Sequence, residues 1–192
     1  YADYISEKRT NIYVYEDDTR SVKIHCSQRE QPYAADGIKG AMNGICEIFV
    51  TLDKNPQELY AEINGHRGDM GYEAVDGCYY LSFTAEDFKS DSVQITLSAD
   101  GKAETFTALS VLYDGVLTCD EALGCVIEHD KALFDGLTQN NAFSGEIYVR
   151  LLSDDGCYYY VGVCGRDGAI SAFLVDGEHG KVIATKKLNS PA

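Results

Sequence analysis

The sequence predicts a mainly β protein with two domains, an antiparallel β-sandwich over residues 1–115 and an α+β domain over residues 116–192. Eight Asp-Gly dipeptides support this prediction, and they begin at residues 36, 76, 100, 114, 135, 155, 167 and 176. Asp-Gly suits a two-residue hairpin loop because both central residues take positive φ, which glycine adopts freely and aspartate tolerates. Between several of these turns, apolar and polar side chains alternate as they do in half-buried strands. The second domain starts with a helix signal near residue 118.

Period-two alternation dominates residues 11–112. The inward sets of the first two strands are Val22, Ile24 and Cys26, then Cys46, Ile48, Val50 and Leu52. Further strands are predicted at residues 58–63, 79–83, 93–97 and 105–112. Six or seven short strands in roughly 100 residues, separated by turn signals, favour a sandwich of two antiparallel sheets.

One stretch of the first domain, residues 28–44, has no alternation and is predicted to be a long connection. Long loops in compact domains are often functional. The candidate binding residues in this loop are Arg29, Glu30, Tyr33 and Asp36. The alternative is a loop that crosses between the two sheets and caps the sandwich.

The second domain is predicted to begin with one helix. Thr118-Cys119-Asp120-Glu121 is a capping box, and apolar residues then recur at helical spacing as far as Leu137. Four strands follow at residues 146–152, 157–164, 169–175 and 181–188. We expect the helix to cover one face of this antiparallel meander. Two candidate buried sets are Ile147, Val149 and Leu151, and Tyr159, Val161 and Val163.

Tyrosine is abundant, with 14 residues against no tryptophan. Tyr158, Tyr159 and Tyr160 are consecutive, so strand alternation places Tyr159 on one face and the other two on the opposite face. Tyr158 and Tyr160 are therefore candidate residues of a protein-binding or glycan-binding surface, because tyrosine supplies apolar area and a hydroxyl at low entropic cost. Ordinary cross-strand packing is the alternative.

Two resemblances to known families follow from short motifs. The first domain resembles a bacterial immunoglobulin-like domain in Tyr80-Leu81-Ser82-Phe83, Val93-Gln94-Ile95-Thr96-Leu97, Asp100-Gly101 and Phe106-Thr107. The second resembles the PepSY and cystatin-like group in Tyr160-Val161-Gly162-Val163, Asp167-Gly168, Ala172-Phe173-Leu174-Val175-Asp176 and Gly180-Lys181-Val182-Ile183. The three tyrosines and the cysteines of the second strand depart from that group.

The resemblances imply an extracytoplasmic module that binds or restrains another protein, in some relatives a peptidase. They bring no catalytic residues and no cofactor. Together they predict the exported part, secreted or lipid-anchored, of a bacterial cell-envelope protein. The chain opens on Tyr1 without an initiator methionine, which agrees with an upstream export signal or lipoprotein leader.

The net charge of the chain disfavours two classes of partner. The formal net charge is −15, which opposes binding to nucleic acid and to anionic membrane surfaces. No stretch approaches the roughly 18 apolar residues of a membrane span. A protein partner at the cell envelope is the leading expectation, and a glycan or small-molecule ligand is the alternative.

Catalytic and metal sites have weaker signals. Cys125 and His129 are four residues apart on the predicted helix, which permits a thiolate-imidazole pair and makes a cysteine-dependent hydrolase the third hypothesis. The four histidines lack metal-binding spacing, so no metal site is expected. The seven cysteines contain no C-x-x-C pair. If the protein is exported, Cys26 with Cys46 is the disulfide to test, because both fall on the apolar phase of neighbouring strands.

Overall fold

The computed structural model describes residues 1–30, 40–85, 88–140 and 142–188, which form a mainly β structure with two α-helices. Two compact units are discontinuous in sequence. Residues 1–10, 27–43 and 113–192 form one, here called the meander unit, and residues 11–26 and 44–112 form the other, here called the all-β unit. The division differs from a single boundary near residue 115, because residues 1–10 and 27–43 group with the C-terminal residues.

Three long strands contribute residues to both units: β1 (Ile5–Asp17), β2 (Arg20–Glu30) and β3 (Met42–Leu52). The other strands of the all-β unit are β4 (Leu59–Ile63), β5 (His66–Asp69), β6 (Gly71–Glu73), β7 (Cys78–Thr84), β8 (Ser92–Ala99) and β9 (Lys102–Ser110). Antiparallel pairing joins β3, β7 and β6 in one run, and β1, β9, β8, β4 and β5 in another.

The core of the all-β unit draws on both runs of strands. The predicted inward residues Val22, Ile24, Cys26, Cys46, Ile48 and Val50 are all buried. Leu52, the last residue of the second predicted set, is half-buried and packs against this core. Residues of β4 and β8 complete the core, among them Ala61, Ile63 and Ile95. The alternation in the sequence therefore predicted the buried face of these strands.

Turn residues follow the Asp-Gly prediction in part. Asp100 and Gly101 have φ of 48° and 81° and form the two-residue turn between β8 and β9. Asn64 and Gly65 form a similar turn between β4 and β5 that the sequence analysis did not include. The dipeptide at residue 135 lies inside a helix and is not a hairpin turn.

The meander unit contains α1 (Cys119–His129), α2 (Lys131–Leu137), β10 (Thr138–Gln139), β11 (Ala142–Phe143), β12 (Glu146–Ser153), β13 (Cys157–Cys164), β14 (Ile170–Asp176) and β15 (Val182–Leu188). The predicted capping box begins α1: Thr118 Oγ1 accepts from Glu121 N at 3.2 Å, and Glu121 Oε2 accepts from Thr118 N at 2.7 Å. The prediction of one helix is wrong. The first helix ends before Asp130, whose carboxylate accepts from Leu133 N and caps a second one. Neither helix in the described residues is long and apolar enough to cross a membrane.

The four-stranded antiparallel meander is confirmed, in the order β15, β14, β13, β12. The two candidate buried sets belong to one face, because Ile147 pairs with Val163, Val149 with Val161 and Leu151 with Tyr159. All six residues are buried, and α1 packs against the strands that carry them. The first part of β1 adds to the other side of β12 in parallel, which the sequence analysis did not predict.

The prediction of a long connection over residues 28–44 is wrong at both ends. Strand β2 continues to Glu30 and β3 starts at Met42, so Arg29 and Glu30 are strand residues. Glu30 is buried although it is charged. The apolar and polar alternation by which a strand is recognised in a sequence is therefore absent at this end of β2. The other two candidate residues of this stretch, Tyr33 and Asp36, lie outside the described residues.

Candidate functional site

The meander carries tyrosines and an arginine on the face that α1 does not cover. Tyr148 and Arg150 project from β12, and Tyr158 and Tyr160 project from β13, in alternation with the buried set. Arg150 is paired directly with Tyr160. All four residues are half-buried. We call this surface, formed by Tyr148, Arg150, Tyr158 and Tyr160, the tyrosine face.

An ion pair fixes the arginine of the tyrosine face. Arg150 Nε and a terminal nitrogen donate to the two carboxylate oxygens of Glu7 at 2.8 and 2.9 Å. Such two-pronged pairs set both the position and the plane of a guanidinium group. The guanidinium carbon of Arg150 stands 5.8 Å from the ring centre of Tyr148 and 5.9 Å from that of Tyr160, within cation–π range. The arginine therefore holds two tyrosine rings in place.

One of the two described candidates from β2, Arg29, lies beside this pair. Arg29 Nε is 3.5 Å from Glu7 Oε2. Burial works to raise the pKa of Glu7, but the hydrogen bond from Arg150 and the positive charges of Arg150, Arg29 and Arg9 outweigh burial, so the pKa is lowered. Glu7 is therefore a carboxylate at neutral pH, and its charge is matched by the arginines around it.

A second carboxylate at the edge of the tyrosine face has the opposite shift. Glu146 is 7% exposed, and its Oε2 accepts from the Tyr148 hydroxyl at 2.9 Å. Burial raises the pKa of Glu146, the hydrogen bond from Tyr148 lowers it, and the negative charge of Glu30 raises it further, with a net increase. The Glu30 carboxylate itself accepts from the backbone N–H of Gly40. Burial also raises the pKa of the Tyr148 hydroxyl, so it remains a proton donor at neutral pH.

The side chains of the tyrosine face form an ordered cluster with the carboxylates beside them. Ion pairs and hydrogen bonds within the cluster order the side chains, and the three tyrosines are half-buried. Ordered aromatic and arginine side chains are common at the centres of protein interfaces.

Sequence reasoning located part of this surface. Tyr158 and Tyr160 lie on it as predicted, and Arg29 and Glu30 lie beside it as strand residues rather than loop residues. It missed Glu7, Tyr148 and Arg150. The last two could have been found, because they share the phase of the polar positions on the strand before Tyr158. Glu7 could not, because no sequence signal indicates that β1 pairs with β12.

The Cys125 thiol and the His129 imidazole, which the hydrolase hypothesis pairs, lie against different neighbours. A Cβ built at Gly180 would lie 2.9 Å from Cys125 Sγ, so the thiol is close to the turn before β15. The exposed His129 ring is 6.2 Å from the ring centre of Phe173. Cys125 is half-buried. Among the described residues, no hydrogen bond is recorded between Cys125 and His129.

Two further features bear on ligands. The described residues contain no group of three or more histidine, cysteine, aspartate or glutamate side chains placed to hold a metal ion. In the meander unit, a cavity of about 190 Å³ opens beside the C-terminal end of α1, between His129 and the strands β14 and β15. This volume is below the roughly 300–1,000 Å³ of usual ligand pockets.

No known protein family, curated protein sequence or solved structure matches this chain.

Proposed function

We propose that this protein is a non-enzymatic, extracytoplasmic binding or regulatory module that recognises another protein at the bacterial cell envelope through its tyrosine face. The observation that supports this proposal most directly is that one half-buried sheet face carries Tyr148, Arg150, Tyr158 and Tyr160. The partner that we propose is a folded protein, because the tyrosine face carries the side chains that are enriched at protein interfaces.

The composition and order of the tyrosine face support a protein partner. Tyrosine and arginine are the side chains most often found where interface binding energy is concentrated. The pair with Glu7 holds Arg150, and Arg150 in turn lies against the rings of Tyr148 and Tyr160. Side chains that are ordered before binding lose less conformational entropy when the partner docks.

The fold supports the family expectations at a coarse level. We propose that the all-β unit is an Ig-like β-sandwich, because two runs of antiparallel strands contribute to one core. We also propose that residues 116–192 form a PepSY or cystatin-like domain, because helix α1 precedes and packs on a four-stranded meander. This assignment makes a peptidase the first class of partner to examine.

A position-specific crosslinking experiment tests the proposal. A photoreactive phenylalanine analogue is placed at Tyr158 in the full chain, which is returned to the cells that encode it and irradiated. The same analogue at Tyr72 in the all-β unit, 52% exposed, is the control. We expect a crosslinked protein at residue 158 that is not captured at residue 72.

The captured protein is then purified and its affinity is measured directly. Replacement of one interface centre by alanine typically costs about 2 kcal/mol, or roughly 30-fold in Kd. We therefore expect Tyr158→Ala with Tyr160→Ala to weaken binding at least 30-fold, and Tyr72→Ala to leave it unchanged. Equal affinity of the double variant and the wild type would contradict the proposal, as would the absence of any crosslink at residue 158.

A further inference from the structure

A larger cavity lies within the all-β unit, and its lining includes none of the four residues of the tyrosine face. Its volume is about 430 Å³, which falls within the range of ligand pockets, roughly 300–1,000 Å³. Four apolar side chains line it: Leu52, Leu59, Leu97 and Ala99. Leu59 and Leu97 are 4% and 3% exposed and also belong to the core, so the apolar lining is continuous with the interior of the unit.

Backbone hydrogen bonds hold the segments around this cavity. The N–H of Asp53 donates to the Thr19 carbonyl at 3.0 Å, which joins the segment after β3 to the turn between β1 and β2. The Asp100 carboxylate, in the turn between β8 and β9, accepts from the N–H groups of Gln57 and Glu58 at 2.9 and 3.1 Å. These bonds fix the cavity walls before any ligand arrives, which lowers the entropic cost of binding.

One cation that lines the cavity is already paired. The Arg20 guanidinium lies 2.6 Å from Glu104 Oε2 and 3.2 Å from Asp17 Oδ2. It also stands 5.7 Å from the ring centre of Phe106. Arg20 is therefore paired with two carboxylates, and its positive charge is not free for a ligand.

Two further cations are available to a ligand. Lys54 and Lys102 line the cavity, and both are exposed. Among the described residues, no ion pair or side-chain hydrogen bond is recorded for either. Asp53 is the remaining carboxylate of the lining, so the free charges are two ammonium groups against one carboxylate. The charged side chains of the whole lining are three cations and two carboxylates, a net charge of +1 in a chain of net charge −15.

We infer that this cavity binds a small organic anion with an apolar chain, of the fatty-carboxylate class. The chain would lie against Leu52, Leu59 and Leu97, where it leaves water, and the carboxylate would lie between Lys54 and Lys102. This site is separate from the proposed function, because it needs neither the tyrosine face nor a protein partner.

An NMR titration tests the inference. Octanoate is added to the ¹⁵N-labelled full chain, and amide shifts are followed. Two probes serve as controls: octylammonium has the same chain with a positive head group, and acetate has the same head group without the chain. We expect saturable shifts at Leu52, Leu59 and Leu97 with octanoate, and binding at least tenfold weaker with each control probe.

Charge variants separate specific binding from general adsorption. The double variant Lys54→Gln with Lys102→Gln removes both ammonium groups, and Lys23→Gln makes the same change at an exposed position of β2 that does not line the cavity. We expect at least a tenfold higher Kd for octanoate in the double variant and no change in Lys23→Gln. An amide spectrum of each variant, recorded without ligand, verifies the fold.

Three results would overturn the inference: no saturable shift at the cavity with octanoate, equal binding of octylammonium, or unchanged octanoate binding in the double variant. None of them bears on the tyrosine face. A chain that binds octanoate and loses no partner affinity on tyrosine substitution would retain this inference and refute the proposed function.

Discussion

Asp-Gly-Cys-Tyr-Tyr occurs twice in this chain, once in each unit, and the two copies bury different tyrosines. In the all-β unit, residues 76–80, the first tyrosine is the core residue: Tyr79 is 8% exposed and belongs to the hydrophobic core. Tyr80 points to the other face of β7, where its hydroxyl donates to Glu47 Oε1 at 3.1 Å.

In the meander unit, residues 155–159, the assignment is reversed. Tyr159 is 1% exposed, and its hydroxyl donates to the carbonyl of Leu117. Tyr158 is half-buried on the tyrosine face. The cysteine of each copy, Cys78 or Cys157, is buried in both.

The partner strands account for this reversal. Tyr79 is opposite the buried Val50 of β3, and Tyr159 is opposite the buried Leu151 of β12. Residues opposite each other in a sheet share a face, so the neighbouring strand decides which tyrosine is inside. Five identical residues therefore specify a strand after a turn, but not which of its faces is buried.

Alanine substitution of each tyrosine should reproduce the reversal in stability. We expect Tyr159→Ala to cost about 3–5 kcal/mol and Tyr79→Ala about 3 kcal/mol, because each removes a buried ring. Tyr158→Ala and Tyr80→Ala should each cost about 1 kcal/mol. Urea unfolding, with hydrogen exchange to report on each unit, measures the four values. A larger cost for Tyr158→Ala than for Tyr159→Ala would show that the assigned phase of β13 is wrong.

The alternation of apolar and polar residues predicted the buried face correctly where a strand has one apolar face and pairs with the strand next to it in the sequence. It predicted the buried residues of β2, β3, β12 and β13 and the placement of Tyr158 and Tyr160 on one face. The capping box likewise predicted the start of α1. These features depend on local propensity and on hairpins, which short-range sequence signals describe.

Two features depend on long-range pairing and were not predicted. The parallel pairing of β1 with β12 brings Glu7 to Arg150 across more than 140 residues of sequence. The end of β2 carries Arg29 and Glu30 in a strand although both are charged, because Arg29 pairs with Glu7 of β1 and the Glu30 carboxylate accepts from the backbone N–H of Gly40. A strand that buries carboxylates has no apolar alternation to detect.

The glycines at the start of the two copies should also differ in their tolerance of a side chain. Gly77 has φ of 67° and open space around it, whereas Gly156 has φ of 144° and the Tyr158 ring 3.4 Å from an added Cβ. Because the second conformation is nearly restricted to glycine, we expect Gly156→Ala to cost about 2 kcal/mol and Gly77→Ala about 1 kcal/mol. The control is Gly71→Ala, in a strand with open space, which should change stability by less than about 0.5 kcal/mol. Equal urea midpoints for the Gly156 and Gly77 variants would exclude this difference between the turns.

The smallest expected changes in stability concern Glu7 and Glu146, the two carboxylates that contact the tyrosine face of the meander unit. The lowered pKa of Glu7 means that its stabilising contribution is present above its unfolded pKa, near 4.5, and is lost as the pH falls through the folded value. The raised pKa of Glu146 has the opposite sign: its contribution is present below the unfolded value and is lost as the pH rises through the folded one.

Glutamine substitutions should therefore change stability in opposite directions at neutral pH. We expect Glu7→Gln to destabilise the protein by about 1 kcal/mol at pH 7, less than for a fully buried pair because the Arg150 side chain is 39% exposed. Glu146→Gln should stabilise it by up to about 1 kcal/mol, because the buried carboxylate no longer has to be ionised. Both differences from the wild type should be smaller at pH 3, because Glu146 with its raised pKa is protonated there and the contribution of Glu7 is progressively lost below its unfolded pKa near 4.5. Urea unfolding at the two pH values measures this, and a destabilised Glu146→Gln variant at pH 7 would show that this carboxylate supports the tyrosine face as an ion.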